Sequence, residues 1–175
     1  VIGTALAIPL ARLRARQAIP GAVLGMAIAH FGIGLSTLGI TGVQSFKIEQ
    51  DVALAVGEAA SVGGYDFRLM SLKDVQGPNF IAVEGEVAVS RDGRPVATLH
   101  PQKRLYNSGG NPMTEAGIEV SAARDLFAAL GEDLGQGRWS LRLQYKPLIR
   151  YIWLGALLIA LGAGIAAAVA VVMGA

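Results

Sequence analysis

Two histidines are the residues of this sequence best suited by type to bind a metal or to move a proton. His30 lies in the apolar stretch GMAIAHFGIGLSTLGIT, residues 25–41, and His100 lies before a proline in a polar region. An imidazole can ligate a metal or exchange a proton near neutral pH. An ionisable group at the depth of a bilayer is costly and is seldom kept without a partner. The position of His30 therefore raises the question of its partner.

Small residues surround His30 on a helix. Ala27 and Gly34, three and four residues away, leave room for a flat and bulky group, and Thr37 adds a possible hydrogen-bonding side chain. A heme fits this pattern because an imidazole nitrogen is a common axial ligand of heme iron. Close packing against another helix explains the small residues equally well: Gly21, Gly25, Ala29, Gly32 and Gly39. A bound cofactor, a hydrogen bond to a neighbouring helix and a proton path all stay open.

His100 has weaker support as a ligand. No second residue of the same kind lies in its region, whereas a protein metal site usually needs three or four ligands. The sequence also contains no CxxC, HExxH, GxxxxGK[ST] or GxSxG motif. We therefore interpret His100 as structural and identify no catalytic residue.

Apolar segments at both ends predict helices that cross a membrane. Residues 18–45 and 150–175 are long enough for a hydrocarbon core of about 30 Å, which needs about 20 helical residues. Residues 1–11 are too short, and we expect them to be the end of a truncated transmembrane helix in a larger polytopic protein. Three arginines in 12–17 predict a cytoplasmic loop, which places 46–149 outside the cytoplasm.

The polar region between the apolar segments is nearly neutral. All 13 acidic residues of the chain lie in it, and 11 of the 15 basic residues accompany them. The other four, all arginines, adjoin the apolar segments: Arg12, Arg14, Arg16 and Arg150. The polar region thus has no basic excess for binding nucleic acid, and we exclude that class of partner.

Alternating polar and apolar residues predict that the polar region is mostly β. Residues 63–75 and 137–147 alternate as half-buried strands do, and Asp92-Gly93 lies between two extended runs as in a tight hairpin. One short helix is expected at 121–132, with Ser121 as its N-cap and Gly131 near its end. The predicted fold class is an integral membrane protein with α-helical transmembrane segments and a mostly β extracytoplasmic domain with one short helix.

The sequence resembles the C-terminal part of the CcmF family of cytochrome c maturation proteins. The resemblance covers nearly the whole chain. Its segments, in order, are GMAIAHFGIGLSTLGIT, FKIEQDVALAVGE, GGYDFRL, GPNFIAVEGEVAVSRDGR, ATLHPQKRLY, NPMTEAGI, RDLFAALGE and LQYKPLIRYIWLGALLIALG.

The resemblance implies a function in cytochrome c biogenesis. The activity it implies is that of the heme lyase, which joins heme from the chaperone CcmE to the two thiols of an apocytochrome c CxxCH motif, assisted by CcmH and CcmI. The family also holds a heme b between two transmembrane histidines. The later of these lies in an AHxG segment, which is AHFG here, so the resemblance assigns His30 as an axial ligand of the heme b iron. Quinol is a possible source of electrons for that heme.

Other parts of the family's machinery do not match this chain. The Trp-rich loop, the periplasmic heme-binding histidines and the first membrane histidine have no counterpart in it, so we expect the fragment alone to be inactive. The resemblance places the chain in the bacterial inner membrane with 46–149 in the periplasm. The alternative is a membrane-anchored β domain that binds a partner or serves as a scaffold and holds no cofactor. A separate cluster of basic and aromatic residues lies where the last apolar segment begins: Lys146, Arg150, Tyr151 and Trp153. We interpret it as an anchor at the membrane interface, and the functional alternative is contact with heme propionates or quinol.

Overall fold

The computed structural model of the chain describes residues 2–174, apart from the side chain of Thr4. It divides into two compact units. The helical unit is built from the residues up to Ser45 and from Leu148 onward, and the β unit is Phe46–Pro147.

Two of the three helices of the helical unit are long and apolar enough to cross a membrane. They are α2 (Gly21–Phe46) and α3 (Ile149–Gly174), each of 26 residues, with mean hydropathies of 1.7 and 2.6. At 1.5 Å per residue each is about 39 Å long, which exceeds a hydrocarbon core of about 30 Å. The first helix, α1 (Ile2–Arg14), has 13 residues and runs into the segment that the sequence analysis assigned to a loop.

The small residues of α2 pack against α3. A Cβ atom added at Gly25 would lie 2.6 Å from the carbonyl oxygen of Gly162, and one added at Gly32 would lie 2.6 Å from that of Gly155. The hydroxyl of Ser36 donates a 3.1 Å hydrogen bond to the carbonyl oxygen of Ile152. Glycine at these positions lets the two backbones approach closely, which is how helices associate in lipid. The packing interpretation of the small residues is therefore confirmed.

The β unit is a sandwich of two antiparallel sheets. The four-stranded sheet contains, in spatial order, β1 (Ile48–Ala55), β10 (Arg138–Pro147), β9 (Arg124–Gly135) and β8 (Gly117–Val120). The six-stranded sheet contains, in spatial order, β2 (Ala59–Val62), β3 (Tyr65–Gln76), β4 (Phe80–Arg91), β6 (Gln102–Tyr106) and β7 (Met113–Glu115), and β5 (Arg94–Leu99) also pairs with β4.

The predicted strands and hairpin are present. Residues 63–75 and 137–147 fall largely in β3 and β10. Their alternate apolar side chains point into the core between the sheets: Tyr65, Phe67 and Leu69 in β3, and Leu141 and Leu143 in β10. Phe67, Leu69 and Leu143 are fully buried there. Asp92 and Gly93 connect β4 to β5 with φ values of 51° and 74°, the left-handed conformation that a tight hairpin requires.

The short helix predicted at 121–132 is wrong. Strand β9 occupies most of this segment, and Ser121 closes a turn by accepting a hydrogen bond from the backbone amide of Arg124. Leu126 and Leu130 are fully buried in the core, while Phe127 lies on the opposite face of the sheet. Pairing with β10 and β8 on both sides stabilises the extended form, and this tertiary context overrides the helix propensity of an Ala- and Leu-rich segment.

Candidate cofactor site around His30

Helix α2 places His30 well inside the apolar segment. The residue lies nine positions after Gly21, the first residue of the helix, and so about 14 Å along its axis. Its side chain is exposed on the surface of the helical unit and does not lie in the packed seam with α3. The imidazole is therefore accessible to a group outside the described residues.

A hydrogen bond to the helix backbone fixes the orientation of the imidazole. The Nδ1 atom of His30 lies 2.8 Å from the carbonyl oxygen of Met26, one turn earlier. A carbonyl oxygen only accepts, so Nδ1 carries the proton and donates it. In the neutral ring the lone pair is then on Nε2, which is the arrangement found in metal-ligating histidines whose other nitrogen is hydrogen-bonded.

A shallow cavity lies beside this imidazole. It has a volume of about 210 Å³ and is lined by Ala5 of α1 and by Met26, Ala27 and His30 of α2. Ala5 and Ala27 are buried, and their methyl groups keep the wall low. Low, apolar surroundings next to an available imidazole nitrogen are suited to a flat apolar ligand that reaches beyond the cavity.

Two of the predicted neighbours of this site have other roles. Gly34 packs against Ile2 of α1, so the space it leaves is already filled. The hydroxyl of Thr37 donates a 2.8 Å hydrogen bond to the carbonyl oxygen of Ile33 in its own helix. Within residues 2–174, the hydrogen bond of His30 stays in its own helix, which contrasts with the interhelical bond considered from the sequence.

His100 belongs to a polar network on the six-stranded sheet. Its Nδ1 atom lies 3.7 Å from Oε1 of Glu84, and its side chain is half exposed. The same carboxylate accepts from Gln102 and lies 3.2 Å from the ammonium of Lys73. These contacts place His100 beside the ion pair of Glu84 and Lys73. No cluster of three potential metal ligands exists anywhere in the described part of the chain.

The structure also contains a groove that the sequence analysis missed. It has a volume of about 680 Å³ and lies on the outer face of the four-stranded sheet, with Gln144, Phe127 and Ala129 on its floor. The alternation of β10 predicts that Gln144 faces away from the core. Its burial was not predictable, because that depends on β9 and on the chain around Thr114, which is distant in sequence.

Comparison with known proteins identifies the family of the β unit. Residues 45–147 match the family model described as the CcmF C-terminal beta-sandwich. The chain is 46% identical over 138 residues to cytochrome c-type biogenesis protein CcmF of Haemophilus influenzae, and 43% identical over 138 residues to that of Escherichia coli K12. Each alignment covers 79% of this chain and 21% of the relative, so the chain spans about a fifth of the length of these relatives.

The fold agrees with a solved structure as well. The structure titled Cytochrome c Heme Lyase CcmF superposes with a TM-score of 0.78 and 23% identity, over 94% of this chain and 28% of that one. At that identity the likeness is one of fold. Since the family model covers the whole sandwich and more than half of the chain, the chain belongs to the CcmF family.

Proposed function

We propose that this chain is part of a heme lyase that attaches heme covalently to apocytochrome c during cytochrome c biogenesis. Its membership of the CcmF family supports this function, as does the name of the heme lyase whose fold it shares. In this proposal the chain supplies a β-sandwich domain and one wall of a cofactor site in the membrane. Because it spans about a fifth of its relatives, the covalent reaction requires residues outside it.

His30 is the residue that would hold the cofactor, a heme b, by ligating its iron. The observation that carries this role is the 2.8 Å hydrogen bond from Nδ1 to the carbonyl oxygen of Met26, which leaves Nε2 available. The residues beside His30 fit a heme because Ala5 and Ala27 keep the surface next to the imidazole low and apolar. A bound heme b would supply one-electron transfer, with quinol as the proposed reductant.

The chain's own residues contribute orientation and an apolar environment. Helix α2 contains no Asp, Glu, Lys or Arg, so its contribution to the reduction potential of a group next to His30 would come from apolar surroundings and from the ligand itself. The backbone carbonyl of Met26 makes the imidazole a better electron-pair donor to a metal by accepting a hydrogen bond from Nδ1–H. The second ligand of the iron would come from outside this chain, because the family resemblance implies a first membrane histidine in a part of CcmF that this chain does not span.

The location that we propose is the bacterial inner membrane, with the β unit in the periplasm. The two long apolar helices support a membrane location, and Arg12, Arg14 and Arg16 support a cytoplasmic side for the link before α2. The proposed partners are the heme chaperone CcmE, CcmH and CcmI, and the apocytochrome. CcmE would supply the heme, and these partners would meet this chain at the periplasmic β unit.

The test is a visible spectrum of the protein isolated from membranes, recorded as reduced minus oxidised. In His30→Gly we expect loss of the b-type band and its return on addition of imidazole, which can occupy the vacated position. His100→Gly is the matched control and should keep the band. An unchanged band in a folded His30→Gly protein rejects the ligand role. A wild-type protein with no band at all supports the alternative of a partner-binding scaffold without a cofactor.

A further inference from the structure

The outer groove of the four-stranded sheet contains a buried side-chain amide with no hydrogen-bond partner for its oxygen. Gln144 is 7% exposed, and its Oε1 atom is shielded from solvent with no hydrogen bond to any described residue. A buried polar atom without a partner is unfavourable, and it therefore calls for a functional explanation. The nitrogen of the same amide, Nε2, is not shielded in this way, and Gln144 lines an open groove. A half-turn of the amide exchanges its nitrogen and oxygen, so a ligand in the groove can supply the missing partner.

The surroundings of Gln144 give the groove its shape. Gln144 pairs in register with Phe127 of β9 on one side and with Glu49 of β1 on the other, so the three side chains share the outer face. Thr114 and Ala116 line one wall. Arg142 and Asp51 also line the groove. Nε and Nη2 of Arg142 donate hydrogen bonds of 2.8 and 3.0 Å to the two carboxylate oxygens of Asp51.

The length of the groove fits an extended polypeptide. Its lining runs along β10 from Ser140 to Lys146, and six steps of a strand cover about 20 Å, enough for about six extended residues. The ammonium of Lys146 lies over the Phe127 ring, 4.5 Å from its centroid, and forms one end of the groove. Phe127 and Ala129 provide an apolar floor for side chains that point towards the sheet.

Hydrogen-bonding chemistry favours a peptide over other ligands. A carboxamide presents an acceptor and a donor next to each other, and the group that complements both is another amide. Each residue of a polypeptide except proline carries such a pair in its backbone. A folded protein has already used these groups, whereas an unfolded segment has them available for Gln144.

We propose that this groove binds an extended segment of the apocytochrome polypeptide, with a backbone amide of that segment hydrogen-bonded to Gln144. This inference rests on the proposed function, which supplies an unfolded polypeptide as substrate. An apocytochrome lacks the heme around which its core forms, so its backbone amides reach the lyase unpaired. The groove then positions the substrate chain and takes no part in the covalent step.

Binding of a defined peptide tests the proposal. The probe is a fluorescent 20-residue apocytochrome peptide centred on CxxCH, with serine in place of both cysteines so that no heme can be attached. Its affinity for the detergent-solubilised protein is measured by anisotropy. We expect the Kd to rise about tenfold in Gln144→Leu, the effect of losing an amide hydrogen-bond pair. Ala129→Leu, which fills the floor, should weaken binding at least as much.

Controls separate binding from folding. Ala88→Leu makes the same change on β4 of the other sheet and should leave the Kd unchanged. The melting temperature of Gln144→Leu should equal or exceed that of the wild type, because the substitution removes an unpaired polar atom. A structural role for Gln144 predicts the opposite change in melting temperature. If Gln144→Leu does not fold, Ala129→Leu still decides the question.

Backbone methylation of the peptide tests the hydrogen bond itself. Each peptide of a series carries one N-methyl group and so lacks one backbone N–H donor. We expect methylation at one position to weaken binding to the wild type about tenfold and to leave binding to Gln144→Leu unchanged. Equal binding by wild type, Gln144→Leu and Ala129→Leu overturns the proposal. So does binding of the peptide with no position sensitive to methylation.

The same samples distinguish this inference from the heme function. His30→Gly should bind the peptide as the wild type does, because it leaves the groove intact. If peptide binding does not depend on Gln144 but the wild-type protein shows a normal b-type band, the groove proposal alone is rejected. Gln144-dependent binding in a protein without that band rejects the cofactor proposal alone.

Discussion

The Nδ1 atom of His30 donates a 2.8 Å hydrogen bond to the carbonyl oxygen of Met26 in the same helix. The bond needs no partner from another helix, and it fixes which nitrogen of the imidazole is protonated. It therefore answers part of the energetic question raised by a histidine in an apolar segment. The remaining nitrogen, Nε2, is the one on which a ligand function depends.

Filling the cavity beside His30 should displace a cofactor without altering the histidine. Ala27→Phe adds a ring to the wall that Ala27 forms with Ala5, so we expect the b-type band to fall by at least half in the isolated protein. The matched control is Ala22→Phe, an exposed position on the same helix outside the cavity, which should keep the band. A full band in Ala27→Phe contradicts the assignment of this cavity to the cofactor.

The glycines of α2 should be intolerant of larger residues on the face towards α3. In Gly25→Val the new side chain meets the backbone of Gly162, so we expect a loss of about 1–3 kcal/mol, the usual cost of overpacking. Gly164→Val is the control because nothing lies within 4 Å of a Cβ at that position. Unfolding of the purified protein in increasing SDS compares the two, and equal stability argues against the observed helix pairing.

Glu84 should stabilise the folded protein above acidic pH, because it takes part in the ion-pair network of the six-stranded sheet. Hydrogen bonding from Gln102, opposed by burial and assisted by Lys73, lowers the pKa of Glu84 below its ordinary value. A lowered carboxyl pKa means that the folded protein favours the ionised form. The contribution of Glu84 to the stability of the folded state is complete above the pKa of a glutamate in the unfolded chain, about 4.3. It is lost as the pH falls through the lower pKa of Glu84 in the folded protein.

Thermal melting of Glu84→Gln against the wild type checks this pH dependence. We expect the variant to melt a few degrees lower at pH 7, with the difference disappearing once the pH has fallen through the lowered pKa of Glu84 and both side chains are uncharged. Asp92→Asn at the exposed hairpin tip is a control that should show a much smaller effect at pH 7. A difference that persists unchanged at low pH indicates packing and not ionisation.

The sandwich core should depend strongly on Phe67. Its side chain is fully buried between the sheets, and Phe67→Ala removes a ring from the centre of the core. Substitutions of this kind cost about 3–5 kcal/mol. Val96→Ala, at a 37% exposed position, is the control and should change stability by less than about 1 kcal/mol. Urea unfolding followed by the β signal in circular dichroism measures both.

The sequence determined the two apolar helices, the mostly β character of the polar region with four of its ten strands (β3, β4, β5 and β10), the hairpin at Asp92-Gly93, and His30 as the residue to test. Each of these follows from a local pattern: a long uncharged segment, alternation, a turn dipeptide, or an ionisable group where such groups are rare. The family resemblance was also readable from sequence, since the matching segments run in order along the chain, and the match of residues 45–147 confirms it.

Only the tertiary structure decided the features that depend on neighbours distant in sequence. Residues 124–135 form β9 because β8 and β10 pair with them, although their composition favours a helix. Gly25, Gly32 and Gly39 of α2 serve the seam with α3, whereas His30 lies outside that seam with its side chain exposed. The burial of Gln144 likewise results from strands that meet in space, which no local pattern encodes.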